Sequence, residues 1–244
     1  MDYLIDGIIQ AIKLIITLNP YVVTVTVVQV LVSTSAVIFA SITAIPLAVL
    51  LSFKRFPFRD FILTAINTAM GLPPVVVGLF VFVFFMSNGP LGFLDILYTK
   101  QIMIFAQYIL ATPIILGVSI AAINAVPKEI KETAYSLGAG DLQVAVIVLK
   151  ESTYGILTGV VAGAGRVFAE VGAILTVGGN IEYNILQHGE IITVSKTRTL
   201  STAIPLATSQ GDIPSAIAFG LILLLLSLIL NIIMYQLQKR SQHE

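Results

Sequence analysis

The chain has 244 residues, of which 57% are apolar and only 11% carry a charge. This composition excludes an ordinary soluble domain and indicates a protein whose solvent is the lipid bilayer. The net charge is zero and there is no cysteine, which argues against nucleic-acid binding, a disulfide framework and a thiolate metal site. The two histidines, His188 and His243, are too few and too scattered for a metal cluster.

Residues 1–20 are predicted to form an amphipathic helix that ends at Asn19 and Pro20. At 1.5 Å per residue, its apolar run is about 24 Å long, which is shorter than the roughly 30 Å hydrocarbon core. We therefore expect the helix to lie flat in the membrane interface, with a short extra spanning helix as the alternative. Its polar stripe, at spacings of three and four residues, consists of Asp2, Asp6, Gln10, Lys13 and Thr17.

Residues 21–244 are predicted to form one membrane domain with five spanning helices. Each predicted span is a long run of apolar residues with few or no charges, which is the pattern of a transmembrane helix. A repeat of glycine at every fourth residue in the fourth span, at Gly155, Gly159 and Gly163, predicts close packing against another helix. The predicted spans are residues 22–53, 61–86, 102–123, 155–177 and 217–237.

The second span contains Gly71-Leu72-Pro73-Pro74 at its centre. The two prolines remove two backbone donors at membrane depth, so the carbonyls that they leave free need partners from protein or water. Two interpretations stay open: a kink that packs against a neighbouring helix, and a discontinuous helix that lines a transport path. We favour the second, and Pro73 and Pro74 are therefore candidate path residues.

Residues 125–151 form a polar island between the third and fourth spans. The segment is predicted to fold as two short helices outside the lipid, separated by a break at Gly138 and Gly140, with Asp141 as the cap of the second helix. The surface around the break mixes small, apolar and charged residues, which suits insertion into a groove of another protein. The candidate docking residues are Glu132, Ala134, Tyr135, Leu137, Gly138, Ala139 and Gly140.

Positive charges indicate the orientation in the membrane. If the loop 125–151 is cytoplasmic, eight lysines and arginines lie inside and four lie outside, in agreement with the positive-inside rule. This topology places the C-terminus in the cytoplasm. The inside residues are Lys54, Arg55, Arg59, Lys128, Lys131, Lys150, Lys239 and Arg240, and the outside residues are Lys13, Lys100, Lys196 and Arg198.

Arg166 and Glu170 are the two ionisable residues well inside a predicted span, four residues apart on the expected helix. Charges in lipid are costly, so both side chains should face protein or water and pair with each other. They form either a structural ion pair or the gate of an anion path, in which Arg166 attracts the ion and Glu170 limits its residence. Hydroxyl donors for an oxyanion are available at the expected outer mouth from Thr197, Thr199, Ser201 and Thr202.

The sequence resembles the permease subunits of ABC importers in the loop 125–151. Their pattern, Glu-Ala-Ala, three residues, Gly, nine residues, Ile-x-Leu-Pro, appears here as Glu132-Thr133-Ala134 and Gly138, with Val148 at the Ile position. The final Leu-Pro positions hold Lys150 and Glu151 instead. Later motifs resemble the tungstate-type branch near the molybdate permeases: Lys-Glu-Ser-Thr-Tyr-Gly from Lys150, Gly-Arg-x-x-x-Glu-x-Gly-Ala from Gly165, and Val-Gly-Gly-Asn-Ile from Val177.

The resemblance implies an all-α, multi-pass protein of a prokaryotic cell membrane, with the five- or six-helix bundle of type I ABC importers plus the N-terminal interfacial helix. It also implies a homodimer around the path, two cytoplasmic ATPase subunits that bind ATP and Mg²⁺ and receive the loop 125–151, and an extracellular oxyanion-binding protein. The expected ion is tungstate, with molybdate or sulfate next.

The residues of this chain agree with a separate ATPase, because no Gly-x-x-x-x-Gly-Lys-Ser/Thr motif and no catalytic set is visible. We therefore expect no enzymatic activity, cofactor or metal in this chain. The alternative function is a gradient-driven secondary transporter or channel for a small anion, for which only Glu170 offers an acidic relay residue.

Overall fold

The computed structural model describes residues 2–54, 57–187 and 190–241, so Arg55 and both histidines lie outside the described residues. The described chain is mostly helical, as predicted. Its α-helices are α1 Asp2–Ile16, α2 Pro20–Phe53, α3 Arg59–Met70, α4 Pro74–Phe85, α5 Lys100–Ala125, α6 Lys128–Ser136, α7 Asp141–Glu151, α8 Thr153–Phe168, α9 Gly172–Gly178, α10 Leu200–Ser209 and α11 Ile213–Ser241.

A β-hairpin between α9 and α10 is an element that the sequence analysis did not predict. Its antiparallel strands are β1 Glu182–Gln187 and β2 Glu190–Ser195, with Glu182 opposite Ser195 and Leu186 opposite Ile191. The segment is rich in isoleucine, valine and threonine, which favour strands.

Among the residues that the structure describes, two helices are long and apolar enough to cross a membrane, namely α2 and α5. Counting each of two bent helix pairs, α3 with α4 and α7 with α8, as one span raises the number to four within the described residues. Residues Ile213–Ile229 of α11 add a shorter apolar stretch. These segments overlap the five predicted spans. The bend between α3 and α4 coincides with the predicted proline break, whereas the bend between α7 and α8 was not predicted.

The chain divides into two compact units, each of which combines distant segments. The first unit contains residues 1–36, 73–107 and 167–230, and the second contains residues 37–72, 108–166 and 231–244. Four of the five boundaries fall within α2, α5, α8 and α11, so each of these helices contributes to both units, and the fifth lies between α3 and α4.

In the first unit, α1 packs on the start of α11 through small residues. Ala11 is buried, the side chain of Gln10 donates a hydrogen bond to Ser215 Oγ at 3.0 Å, and a Cβ at Gly7 would lie 2.5 Å from a methyl carbon of Ile217. The isoleucines of the apolar face are exposed instead, at positions that suit contact with lipid. Part of the predicted polar stripe therefore faces the protein, because Gln10 finds its partner on α11.

In the second unit, the glycine repeat of α8 packs against α5, as predicted. A Cβ at Gly155 would lie 2.5 Å from the Cβ of Ala122, and one at Gly163 would lie 2.7 Å from a side-chain carbon of Ile115. No larger residue fits at these two positions without movement of α5. The repeat is therefore a packing face, because the missing side chains let the two backbones approach closely.

Candidate functional site

The predicted docking loop forms a pair of short helices, α6 and α7, joined at a glycine. Gly138 has φ of 85°, which favours glycine, and its N–H donates to the Tyr135 carbonyl at 2.9 Å. The N–H of Ala139 donates to the Ala134 carbonyl at 3.1 Å. These two bonds form a Schellman motif, which satisfies the last carbonyls of α6 and turns the chain toward α7. The prediction of two helices with a glycine break is confirmed.

The prediction that Asp141 caps α7 is wrong, because Asp141 is the first residue of that helix. The side chain of Gln143 accepts the Gly140 N–H at 2.9 Å instead. The Asp141 carboxylate accepts a hydrogen bond from the Tyr135 hydroxyl at 3.1 Å, and this bond raises the pKa of Tyr135 above its ordinary value. The bond ties the end of α6 to the start of α7.

Apolar side chains project from both sides of the glycine turn. Leu137 is 83% exposed and Leu142 is 80% exposed, which is unusual for leucine and typical of a surface that binds another protein. Of the predicted docking residues, Glu132, Tyr135, Leu137, Gly138 and Gly140 are exposed and Ala139 is half-buried. Ala134 is buried, so its side chain packs inside the pair of helices and is not on their exposed surface.

The two-helix loop formed by α6 and α7 also contacts the end of α2. The ammonium group of Lys131 lies 5.2 Å from the ring centroid of Phe53, the last residue of α2. A cation over an aromatic face at this distance is attractive. The side chain of Arg59 donates to the Leu51 carbonyl at 2.8 Å, so the start of α3 is held against the last turn of α2.

Arg166 reaches the break that the two prolines create. Its guanidinium donates to the Leu72 carbonyl at 3.2 Å. That carbonyl directly precedes Pro73, and the N–H of Val76 bonds to the Pro73 carbonyl at 3.0 Å as α4 begins. The expectation that a freed carbonyl would find a protein partner is confirmed, and it joins two predicted path features, Arg166 and the Pro73-Pro74 break.

The predicted fourth span does not run unbroken from residue 155 to residue 177. Helix α8 ends at Phe168 and α9 begins at Gly172, so the interpretation that Arg166 and Glu170 share one helical face is wrong. Glu170 is buried, and its Oε1 accepts the N–H of Ala173 at 3.0 Å. This carboxylate therefore caps the first turn of α9, as an acidic side chain near a helix N-terminus commonly does.

Two glutamines that the sequence analysis missed satisfy the carbonyls at the end of α8. Gln29 on α2 donates to the Phe168 carbonyl at 3.4 Å, and Gln107 on α5 donates to the Val167 carbonyl at 3.2 Å. Both side chains are fully buried. Each is an isolated glutamine in a long apolar run, and such a residue signals a buried polar contact as a charge in a span does.

Helices α4 and α9, which follow the two breaks, pack against each other in the first unit. A Cβ at Gly78 would lie 2.8 Å from the Cα of Ala173, and a Cβ at Gly172 would lie 2.5 Å from a methyl carbon of Val75. The neighbour of Gly78 is a backbone atom, which cannot rotate away as a side chain can. A side chain at Gly78 would therefore push the two helices apart. The glycines thus fix the position of α9 next to α4.

The four hydroxyls proposed as oxyanion donors are buried and bonded within the protein, so that hypothesis is wrong for this conformation. Thr197 donates to the Gly178 carbonyl at 2.6 Å, and Thr202 donates to Asn180 Oδ1 at 2.9 Å. Thr199 accepts the N–H of Thr202 as the cap of α10. Arg198 bonds to Tyr21, Asn180 and Glu182. These residues hold the loop that carries the β-hairpin.

Long apolar helices with two internal breaks, together with an exposed two-helix loop, define a membrane permease. The family of binding-protein-dependent transport system inner membrane components matches residues 36–243, and the chain belongs to that family. It is therefore the permease subunit of a membrane transport system, in which a separate subunit hydrolyses ATP and a binding protein supplies the substrate.

Relatives of similar length support this assignment. A probable anion ABC transporter permease protein of Haloferax volcanii is 38% identical over 211 residues, which cover 86% of this chain and 88% of the relative. The tungstate uptake system permease protein TupB of Peptoclostridium acidaminophilum is 34% identical over 239 residues, which cover 98% of this chain and 100% of the relative. The similarity to permeases confirms the function class predicted from the sequence, and nothing in the comparisons favours a gradient-driven transporter.

A solved structure shares the fold. In the crystal structure of a bacterial ABC transporter involved in the import of the acidic polysaccharide alginate, one chain matches with a TM-score of 0.69 at 20% identity. The match covers 89% of this chain and 79% of that chain. The similarity confirms the predicted type I importer fold.

Proposed function

We propose that this chain is the permease subunit of an ATP-driven importer for a tetrahedral oxyanion, with tungstate as the first candidate and molybdate or sulfate next. The single observation that carries the proposal is the similarity along nearly the whole chain, 98% of its length, to a tungstate uptake permease. Two copies of the chain enclose the path, and the surrounding lipid contacts the exposed apolar faces, such as the isoleucines of α1.

The docking hairpin, α6 and α7, of each copy inserts into a groove on one of two cytoplasmic ATPase subunits. Support comes from Leu137 and Leu142, which project from the glycine turn and lose contact with water on insertion. ATP and Mg²⁺ bind to those ATPase subunits, and this chain takes no cofactor of its own. An extracellular binding protein delivers the oxyanion to the outer face of this chain, on the side of the membrane opposite to the ATPase subunits.

The translocation path or gate involves Arg166, Glu170, Pro73 and Pro74. Support comes from the half-buried Arg166, whose positive charge lies at the Leu72 carbonyl next to the proline break. Broken helices at membrane depth are typical of ion and substrate sites in transporters. In this proposal Arg166 attracts the anion, and Glu170 fixes the helix that follows the second break.

Transport in vesicles tests the proposal. We expect proteoliposomes with this chain, its ATPase partner and the oxyanion-binding protein to accumulate tungstate only when MgATP is supplied. Dissipating ion gradients with ionophores should leave the initial uptake rate unchanged. Uptake that survives without ATP and stops with ionophores would instead support the gradient-driven alternative, and competition by molybdate and sulfate would rank the ions.

Cysteine labelling tests the proposed topology, with the docking hairpin and the C-terminus in the cytoplasm. Ser136 on α6 and Asn184 on β1 are both exposed and suit single cysteine substitutions in this cysteine-free chain. We expect Ser136→Cys to react with a membrane-impermeant maleimide only after the cells are opened, and Asn184→Cys to react in intact cells. The opposite labelling pattern would reverse the orientation deduced from the positive charges.

A further inference from the structure

We propose that Gln29 is a positioning residue for transport, one that holds the break between α8 and α9. The inference rests on the proposed function, since it assigns Gln29 a role in the conformational step of import. Ser201 on α10 acts with it. Together they connect α2, the break and α10 within the first unit.

The amide of Gln29 is fully buried, and both of its ends are bonded. Nε2 donates to Ser33 Oγ at 3.1 Å and to the Phe168 carbonyl at 3.4 Å. Oε1 accepts from the N–H of Ser201 at 3.4 Å and lies 3.2 Å from its hydroxyl. A buried amide with donors and acceptor all engaged is held in one orientation, because each alternative leaves a polar atom unpaired.

Ser201 holds the other side of the break. Its hydroxyl can donate to the Glu170 carbonyl at 2.9 Å or to Gln29 Oε1 at 3.2 Å. The hydroxyl has a single proton, so it donates to one of these two oxygens at a time. The Phe168 and Glu170 carbonyls therefore both depend on this glutamine and serine pair. No water is available in an apolar interior to replace these donors.

These bonds favour the broken form of the span over a continuous helix. In a continuous helix the Phe168 carbonyl would accept the N–H of Gly172, four residues later. In the structure that carbonyl accepts from Gln29, and α9 starts anew at Gly172, where the Glu170 carboxylate accepts the N–H of Ala173 in the first turn. The segment thus has two alternative bonding patterns, and a conformational change that moves α2 or α10 shifts the balance between them.

Three variants of the complete transporter test the role of Gln29. Gln29→Leu removes the donor to Phe168, and Ser201→Ala removes the hydroxyl next to Glu170. The matched control is Thr26→Val, an isosteric change on the same helix, where the lost hydroxyl bonds only to the Val22 carbonyl of α2 itself. We expect both test variants to lower the maximal uptake rate per assembled complex about tenfold, with the apparent KM within about twofold of wild type and the control unchanged.

Hydrogen exchange in the purified complex provides a readout that does not require transport. The peptide that contains residues 169–171 should exchange faster in Gln29→Leu and Ser201→Ala than in wild type or Thr26→Val. Unchanged exchange and uptake in Ser201→Ala, the smaller change, would overturn the inference even if Gln29→Leu fails to assemble. If the wild-type complex imports no oxyanion but the two variants still exchange faster, the proposed function is rejected, while Gln29 still holds the break between α8 and α9.

Discussion

A permease that carries both Leu137→Glu and Leu142→Glu is expected to stay folded and to lose its ATPase subunits. The two side chains are 83% and 80% exposed, so replacing them costs the permease little packing. In the proposed complex both leucines lie in the ATPase groove, and burying each contributes about 1.5–3 kcal/mol. The double variant should therefore lose at least about 3 kcal/mol of association free energy, or about a hundredfold in affinity.

Copurification of the ATPase with tagged permease measures this loss, and the detergent melting temperature of the permease alone reports its folding. Leu186→Glu provides the matched control, since Leu186 on β1 is also a highly exposed leucine, at 76%. We expect that variant to retain the ATPase at the wild-type ratio. If the double variant retained it as well, the docking surface would lie elsewhere on the chain.

Arg166→Gln is expected to assemble normally and to import little oxyanion. The substitution removes the positive charge, and the shorter glutamine side chain also gives up the hydrogen bond that Arg166 donates to the Leu72 carbonyl in the native protein. At an effective dielectric constant of about 20, one charge attracts a doubly charged anion about 10 Å away by about 3 kcal/mol. We therefore expect uptake to fall about a hundredfold at unchanged complex abundance.

Arg166→Lys separates the charge from the hydrogen bond, because it keeps the positive charge and loses the guanidinium that donates to the Leu72 carbonyl. Leaving the Leu72 carbonyl without its donor should destabilise the permease by about 1–3 kcal/mol, which a lower detergent melting temperature would report. Arg166→Gln should lower the melting temperature by a similar amount, so loss of uptake in Arg166→Gln but not in Arg166→Lys would assign the effect to the charge. Wild-type uptake per complex in Arg166→Gln would rule out an electrostatic role and leave Arg166 as a residue that stabilises the proline break.

The sequence alone determined the features that depend on local chemistry. Long uncharged runs predict α2 and α5 because the bilayer admits few other structures. The glycine at 138 predicts the turn of the docking hairpin because its left-handed backbone favours a residue without Cβ. The proline pair predicts the break before α4 because proline has no N–H to donate.

Only the tertiary structure decided where α8 ends and which groups replace its missing bonds. No proline marks the break, whose residues are Ala169, Glu170 and Val171. Their apolar surroundings therefore predict a continuous helix. At the break, Gln29, Gln107 and Ser201, which are distant in sequence, supply hydrogen bonds to carbonyls that a continuous helix would bond within itself. Arg166 likewise finds its partner, Leu72, 94 residues away. Such pairings depend on three-dimensional proximity, because a buried carbonyl accepts whichever donor the fold brings within reach.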